Sequence, residues 1–248
     1  MQSFPYQINY ISETLSTQLE IKKLRKVSDS DCIICYTFQQ KQGIGYDGNS
    51  WHTGLNKNIA LSISVKYNNL LAVRQFDICK TIALALNDWM KKHAIITKIK
   101  WPNDILADSK KIAGILIENK IQGNNIIETT IGIGVNVNEN SFPIDLPMAI
   151  SMKNLTAKEY NLNTLVIELC NELYIKLLTI DKSNETTLNV QYLSHMYGLN
   201  EVLEFKKNDI IFKARVKGIN EYGQLILENM DNKLIYYNFK EIEWLIYS

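Results

Sequence analysis

The run Lys100-Trp101-Pro102-Asn103-Asp104, followed after six residues by Lys111-Ile112-Ala113-Gly114-Ile115-Leu116, decides how the rest of the chain is read. Pro102 lacks a backbone donor and has a fixed φ, which suits a strand end and predicts that Asn103 and Asp104 stand clear of the sheet. Asp108-Ser109-Lys110 is turn chemistry. Lys111 then falls at the mouth of an apolar strand whose interior glycine, Gly114, marks close approach by a ligand or another backbone. A lysine there meets phosphate or carboxylate oxygens as a compact point charge. A cation, an indole, an amide and a carboxylate so close together predict a site for a polar ligand. For Lys111 or Asp104 alone, the competing reading is a hairpin with a solvated ion pair.

With 248 residues, 46% of them apolar, the chain has material for one substantial domain and a small one without a disulfide or metal staple. Lys+Arg 27 against Asp+Glu 26 gives a formal net charge of +1, so no global basic field argues for nucleic acid as the main partner. The start, Met1-Gln2-Ser3-Phe4-Pro5-Tyr6, has no basic stretch followed by an apolar one, and no apolar run approaches a membrane span. The expectation is a cytoplasmic protein with no membrane partner. Cys32, Cys35, Cys79 and Cys170 form no disulfide framework, and Cys32-Ile33-Ile34-Cys35 has no second pair to complete a zinc site. These read as buried, reduced thiols. His52, His93 and His195 are scattered without metal-ligand spacing and are assigned no chemistry.

Along the chain, an N-terminal strand precedes an amphipathic helix opened by Ser12, with Leu15, Leu19 and Leu24 on one face. Residues 31–40 read as a strand, and residues 43–51 as a glycine-rich loop. Residues 58–67 return as a strand with Ile59, Leu61, Ile63 and Val65 on one side. The longest helical pattern covers 73–93, broad enough in its apolar spread to pack on a sheet. Strands follow near 96–101, 112–120 and 126–137, the last two joined by Gln122-Gly123-Asn124-Asn125 as a hairpin turn. Helices are predicted over 162–180 and 185–197. From about Glu201 only short strands remain, predicted at 201–205, 210–219, 224–228, 234–238 and 243–247. The fold class is therefore α+β, a mixed sheet with helices mainly on one face, plus a small C-terminal β-barrel.

The paired motif resembles the central motif of biotin protein ligases, in which K-W-P-N-D closes one strand and K-x-A-G-I-L begins the next. The resemblance covers nearly the whole chain. It implies a catalytic domain of the class II aminoacyl-tRNA synthetase type over residues 1–198 and an SH3-like module over 199–248. It also implies a monofunctional enzyme without the N-terminal helix-turn-helix of the repressor type. Activity would run through ATP, Mg2+ and biotin, with the carrier domain of a carboxylase as acceptor.

Carried over residue by residue, the resemblance implies that Ser16-Thr17-Gln18 stands where the family has a Ser-Thr-Asn run against the biotin head, with glutamine replacing asparagine. Hydroxyls suit an ureido ring because it offers both acceptor and donors. Gln40 matches a glutamine that binds the same group. Gly132-Ile133-Gly134-Val135-Asn136 resembles the family's G-x-G-x-N strand. The implied biotin-binding set is Ser16, Thr17, Gln40, Gly43, Lys111, Gly114, Leu116, Gly132 and Gly134. The implied ATP-binding set is Gly45, Tyr46, Trp51, Asn103, Lys111 and Asn136. Asn103 and Asp104 would hold the metal, and Lys111 and Asp104 would be catalytic.

One departure stands out. The family usually reads G-R-G-x-x-G in the loop, whereas this chain has Ile44 at the arginine and no Lys or Arg from Gly43 to Trp51. Lys111, assisted by Lys41 or Lys57 and magnesium, is expected to supply the charge. The alternatives are a lipoate protein ligase and a catalytically impaired biotin-binding protein. No sequence-specific DNA complex is expected in a gel shift at physiological salt, given the near-zero charge and the missing helix-turn-helix.

Overall fold

The computed structural model describes residues 5–45, 48–180 and 184–246. The first part of the chain contributes β1 (Gln7–Tyr10), α1 (Thr17–Arg25), β2 (Cys32–Thr37), β3 (Gly43–Ile44), β4 (Ser50–Trp51), β5 (Ile59–Leu71) and α2 (Gln75–Lys92). The middle adds β6 (Lys98–Lys100), β7 (Asp104–Ala107), β8 (Lys110–Gln122), β9 (Asn125–Val135), α3 (Met152–Thr156), α4 (Leu162–Leu178) and α5 (Glu185–His195). The tail holds β10 (Val202–Lys207), β11 (Ile210–Ile219), β12 (Leu225–Asn229), β13 (Leu234–Tyr237) and β14 (Glu243–Trp244).

A seven-stranded mixed sheet runs β1-β2-β5-β9-β8-β7-β6, with β1 parallel to β2 and every other pair antiparallel. Strand alternation sorts its two faces. Leu61, Ile63, Ile115, Ile131 and Ile133 point into the main core with Ile82, Leu86 and Trp89 of α2 and Leu169 and Leu173 of α4. Among the described residues α1 is the one helix on the opposite face, where its Ile21 packs on Ile33 and Cys35. A helix pair thus covers one face, and a single short helix leaves much of the other to polar and glycine positions.

Several predicted elements shift. The first helix begins at Thr17, not Ser12; Leu15 and Leu19 are exposed, and the buried side holds Thr17, Gln18 and Ile21. The leucines had suggested an apolar face, but this helix turns its polar residues inward. Asp104 does not stand clear of the sheet: it opens β7, a strand missed in the sequence, and pairs with Gly114. The Trp101–Pro102 peptide is cis. Asp108 and Ser109, both at positive φ, form the two-residue link from β7 to β8. The short helix α3, with its Ser151–Asn154 capping box, also went unpredicted.

The C-terminal strands pair in the order β13-β12-β11-β10-β14, all antiparallel. No pairing joins β13 to β14 among the described residues, so the tail is an open five-stranded sheet and not the expected barrel. It is fastened to the main sheet by Trp101, a buried side chain whose Nε1 donates to Gly223 O at 2.8 Å and whose ring meets Phe239 edge-on. That indole faces the tail, not a ligand.

All four cysteines are buried and unpaired by disulfide. Burial pushes the thiols of Cys32, Cys35 and Cys79 up to about 12, and that of Cys170 higher still. At pH 8 they stay protonated and enclosed. An aromatic disulfide reagent is expected to titrate none of them within minutes in the native protein and all four in denaturant; rapid native reaction of even one would contradict this.

No helix of the described residues is long and apolar enough to cross a membrane.

Candidate active site

Residues directly opposite one another in an antiparallel ladder share a face. Pairing across β5, β9, β8 and β7 sets Ala60, Gly134, Gly114 and Asp104 in one row, and Ser62, Gly132 and Leu116 in the next. Both rows lie on the face that α1 only partly covers. The strands thereby lay a floor with almost no side chains, ending at one edge in a carboxylate.

The wall of this trough is the start of α1. Ser16 occupies the N-cap position but makes no side-chain capping bond, and its Oγ is buried without a partner among the described residues. Thr17 is already engaged: its N–H and Oγ1 both donate to Gln40 Oε1, at 2.9 and 3.3 Å, and Ser62 Oγ donates to Thr17 Oγ1 at 2.9 Å. Gln18 is 3% exposed, and neither end of its amide has a partner among the described residues. It lies over Gly132, where an added Cβ would stand 3.0 Å from its Cδ. Two orphaned polar side chains aimed at a bare floor mark a place built for a polar ligand, because an unmet buried polar group costs about 1–3 kcal/mol.

Trp51 covers the other half. An added Cβ at Gly134 would come 2.1 Å from its Cε2, and one at Gly114 would come 3.0 Å from its Cζ3. Its Nε1 is buried and unpartnered among the described residues. With the indole on the floor, the trough retains only about 50 Å³. Ligand sites commonly span roughly 300–1,000 Å³, so Trp51 must move before a bicyclic acid enters.

At the trough's end Lys111 Nζ lies 2.6 Å from Asp104 Oδ1, and Lys100 Nζ lies 3.6 Å from Asp104 Oδ2. Lys111 Nζ also sits 5.4 Å from the Trp51 ring centroid, within cation–π range. Asn103 donates its Nδ2 to Ile115 O at 2.6 Å, leaving its side-chain oxygen without a protein donor among the described residues. Among the described residues no group of three His, Cys, Asp or Glu is placed to hold a metal. Asn103 and Asp104 together offer the one or two oxygens that a nucleotide-borne Mg2+ takes from protein.

Beside the trough a second hollow of about 80 Å³ is lined by Trp51, Lys111 and Asn136 with His52, Phe142, Leu146 and Ala149. His52, assigned no chemistry in the sequence, follows directly on β4, and the last three were missed. Phe142, Leu146 and Ala149 arrive because Met148 O accepts from the Lys111 N–H at 2.6 Å and Ile150 N donates to Lys111 O at 3.0 Å, which lays an irregular segment along β8. Asn136 Nδ2 donates to Lys111 O at 3.3 Å.

The structure thus brings Ser16, Thr17, Gln40, Trp51, Asn103, Lys111, Gly114, Leu116, Gly132 and Gly134 to one trough, with Gly45 also on its lining and Asp104 at its end. Gly43 abuts Gln40 and Trp51, so an added Cβ would stand 2.5 Å from Gln40 Nε2. Tyr46 lies outside the described residues, as does Asp47. Lys41 and Lys57 do not line the trough: Lys41 pairs with Glu13, and Lys57 with Glu139 at 3.3 Å.

A trough with unpartnered Ser16 and Gln18 along its wall and a lysine at its end, beside a hollow lined by Asn136, Phe142, Leu146 and Ala149, is an arrangement able to hold an acid next to a nucleotide. Residues 11–136 match the biotin/lipoate A/B protein ligase family, and the chain belongs to that family. It is similar to the bifunctional ligase/repressor BirA of Bacillus spizizenii, 27% identical over 229 residues, covering 89% of this chain and 69% of that protein. It is also similar to the biotin--[acetyl-CoA-carboxylase] ligase of Mycobacterium tuberculosis, 25% identical over 183 residues, covering 72% and 66%. Among solved structures, the biotin protein ligase from Aquifex aeolicus in complex with biotin and ATP superposes with a TM-score of 0.78 at 18% identity, covering 96% of this chain and 98% of that one.

Proposed function

We infer that this chain is a biotin protein ligase. It joins the biotin carboxylate to the α-phosphate of ATP, forming biotinyl-5'-AMP and releasing pyrophosphate, and then passes the biotinyl group to a lysine amine, releasing AMP. The observation that carries this reading is the glycine-floored trough that ends at Lys111 and Asp104 beside the hollow at Asn136.

The biotin head fits between Ser16, Gln18 and Gly132. An ureido ring answers the unpaired hydroxyl and both ends of the unpaired amide, whereas the dithiolane of lipoate would leave them unmet in a dry site. That favours biotin over lipoate. Thr17 and Gln40, bonded to each other, hold the wall in shape.

Catalysis here is positioning and charge stabilisation. Lys111 reaches the biotin carboxylate and the α-phosphate oxygens. Trp51, displaced from the floor, and the Phe142–Leu146 segment enclose the base near Asn136. Asn103 and Asp104 would hold Mg2+, which when bound neutralises phosphate charge. In the second step Asp104 orients the acceptor amine or takes its proton. The cleft of about 730 Å³ between Asp104 and the tail, rimmed by Lys206, Lys207 and Glu243, gives the acceptor lysine its approach. The acceptor is the biotin carboxyl carrier domain of a carboxylase, a reading supported by the names of the relatives. Residues 1–198 and 199–248 form two domains, in keeping with the separate hydrogen-bonded sheets. The reaction belongs to the cytoplasm, where ATP and the carrier are found together.

The test is pyrophosphate release from ATP and Mg2+ with biotin and with lipoate separately, followed by transfer to a carrier domain. Release with biotin alone is expected. Release only with lipoate, or biotin binding without release, would replace this reading by one of its two alternatives.

The loop sets a further expectation. Ile44 lines the trough where an arginine would grip the adenylate. Ile44→Arg is expected to slow escape of pre-formed biotinyl-5'-AMP about tenfold or more, since a charge-assisted contact is worth roughly 1.5–3 kcal/mol. Equal off-rates would show that the loop does not retain the intermediate.

A further inference from the structure

A crevice against the helical face of the main sheet opens where the first turn of α2, the outer half of β8 and the tail meet, and it shares only Asn103 and Ile115 with the lining of the trough. It holds about 460 Å³, within the range of small-molecule sites. Its chemistry differs from that of the site already described. Charged residues make up 21% of the chain, yet none of the thirteen described residues lining this crevice is Asp, Glu, Lys, Arg or His. The trough, the hollow and the cleft all carry Lys111.

Five carboxamides take the place of charges: Gln75, Asn103, Asn119, Gln224 and Asn238. Gln224 and Asn238 are bonded to each other, Nε2 to Oδ1 at 3.0 Å, and to Asn220 and Glu241. The other three keep capacity. Asn119 Oδ1 accepts from Thr129 Oγ1 at 2.8 Å, which leaves its NH₂ to donate. Asn103 Nδ2 is used on Ile115 O, which leaves its oxygen to accept. Gln75 makes no side-chain bond among the described residues. Between these polar points stand Phe76 and Phe239, ring centroids 5.9 Å apart, and Tyr222.

We propose that this crevice is a second ligand site, for an uncharged planar heterocycle with a carboxamide or lactam edge. A charged ligand would find no counter-ion in the lining and would lose hydration without return. A purely aliphatic one would leave Asn103, Asn119 and Gln75 unmet. A flat ring with adjacent donor and acceptor stacks on the aromatic wall and answers Asn119 with its acceptor and Asn103 with its donor. The site shares one group with the ligase reading, the Asn103 side-chain oxygen offered there to Mg2+, whereas Gln75, Asn119, Phe76, Phe239 and Tyr222 have no part in holding biotin or nucleotide there.

Nicotinamide and uracil are the probes, observed by saturation-transfer NMR on the full chain. Transfer from at least one is expected at millimolar concentration. It should fall at least fivefold in Gln75→Trp, which puts bulk at the mouth from an exposed helix end, and in Asn119→Trp. It should persist in Lys111→Ala, which alters the trough. A thermal melt shows that each variant is folded; if Asn119→Trp is not, Gln75→Trp alone decides. No transfer from either probe, undiminished transfer in the folded crevice variants, or transfer lost in Lys111→Ala would overturn the proposal.

Discussion

Lys111→Ala is expected to lower ATP-dependent pyrophosphate release on the order of 100-fold or more, because among the described residues no other cation lines both the trough and the hollow. Lys100, the nearest alternative, is drawn to the far oxygen of Asp104. The fold should survive. The Lys111–Asp104 pair is partly exposed, with side-chain accessibilities of 38% and 18%, and such pairs are worth about 0–1 kcal/mol. A melting shift of less than about 4 °C is therefore expected in a chain of this size. Wild-type turnover in a folded Lys111→Ala protein would remove this lysine from the mechanism, and would point to Lys100 or to Mg2+ alone as the source of charge.

Gly134→Ala should produce the second large effect, by a different route. A methyl there falls 2.1 Å from Trp51 Cε2, so either the indole leaves the floor or the central strand β9 moves. Overpacking of this kind usually costs about 1–3 kcal/mol in stability. The same methyl obstructs the surface along which the ligand must lie, so affinity for biotin and for ATP should each fall about tenfold or more. Calorimetric titration and denaturant unfolding on the same sample separate the two effects. Unchanged affinities with reduced stability would mean that Gly134 serves only to seat Trp51, and that ligands pass elsewhere.

Much of this protein was legible along the chain because its signals are local. The alternation of Ile59, Leu61, Ile63 and Val65 announces a strand buried on its core side, and the Gly123 turn announces the β8–β9 hairpin. The K-W-P-N-D and K-x-A-G-I-L runs stand next to each other in space because a two-residue link joins their strands, so sequence proximity and spatial proximity coincide there. The glycines at 114, 132 and 134 were legible as close-approach positions, because glycine weakens a strand unless something needs the room.

Register, which no local signal carries, decided the rest. Ala60, Gly134, Gly114 and Asp104 come from four strands, and only the pairing across the sheet sets them in one row with a common face. Leu15 and Leu19 looked like a helix's buried side, yet α1 lies over a floor of glycine and serine, so Thr17 and Gln18 turn inward and the leucines face out. Phe142, Leu146 and Ala149 belong to a stretch with no periodicity at all. They reach the hollow because the backbone at Met148 and Ile150 hydrogen-bonds to Lys111, nearly forty residues earlier. The chemistry of each group is written in its side chain, and its neighbours are chosen by long-range hydrogen bonding and burial.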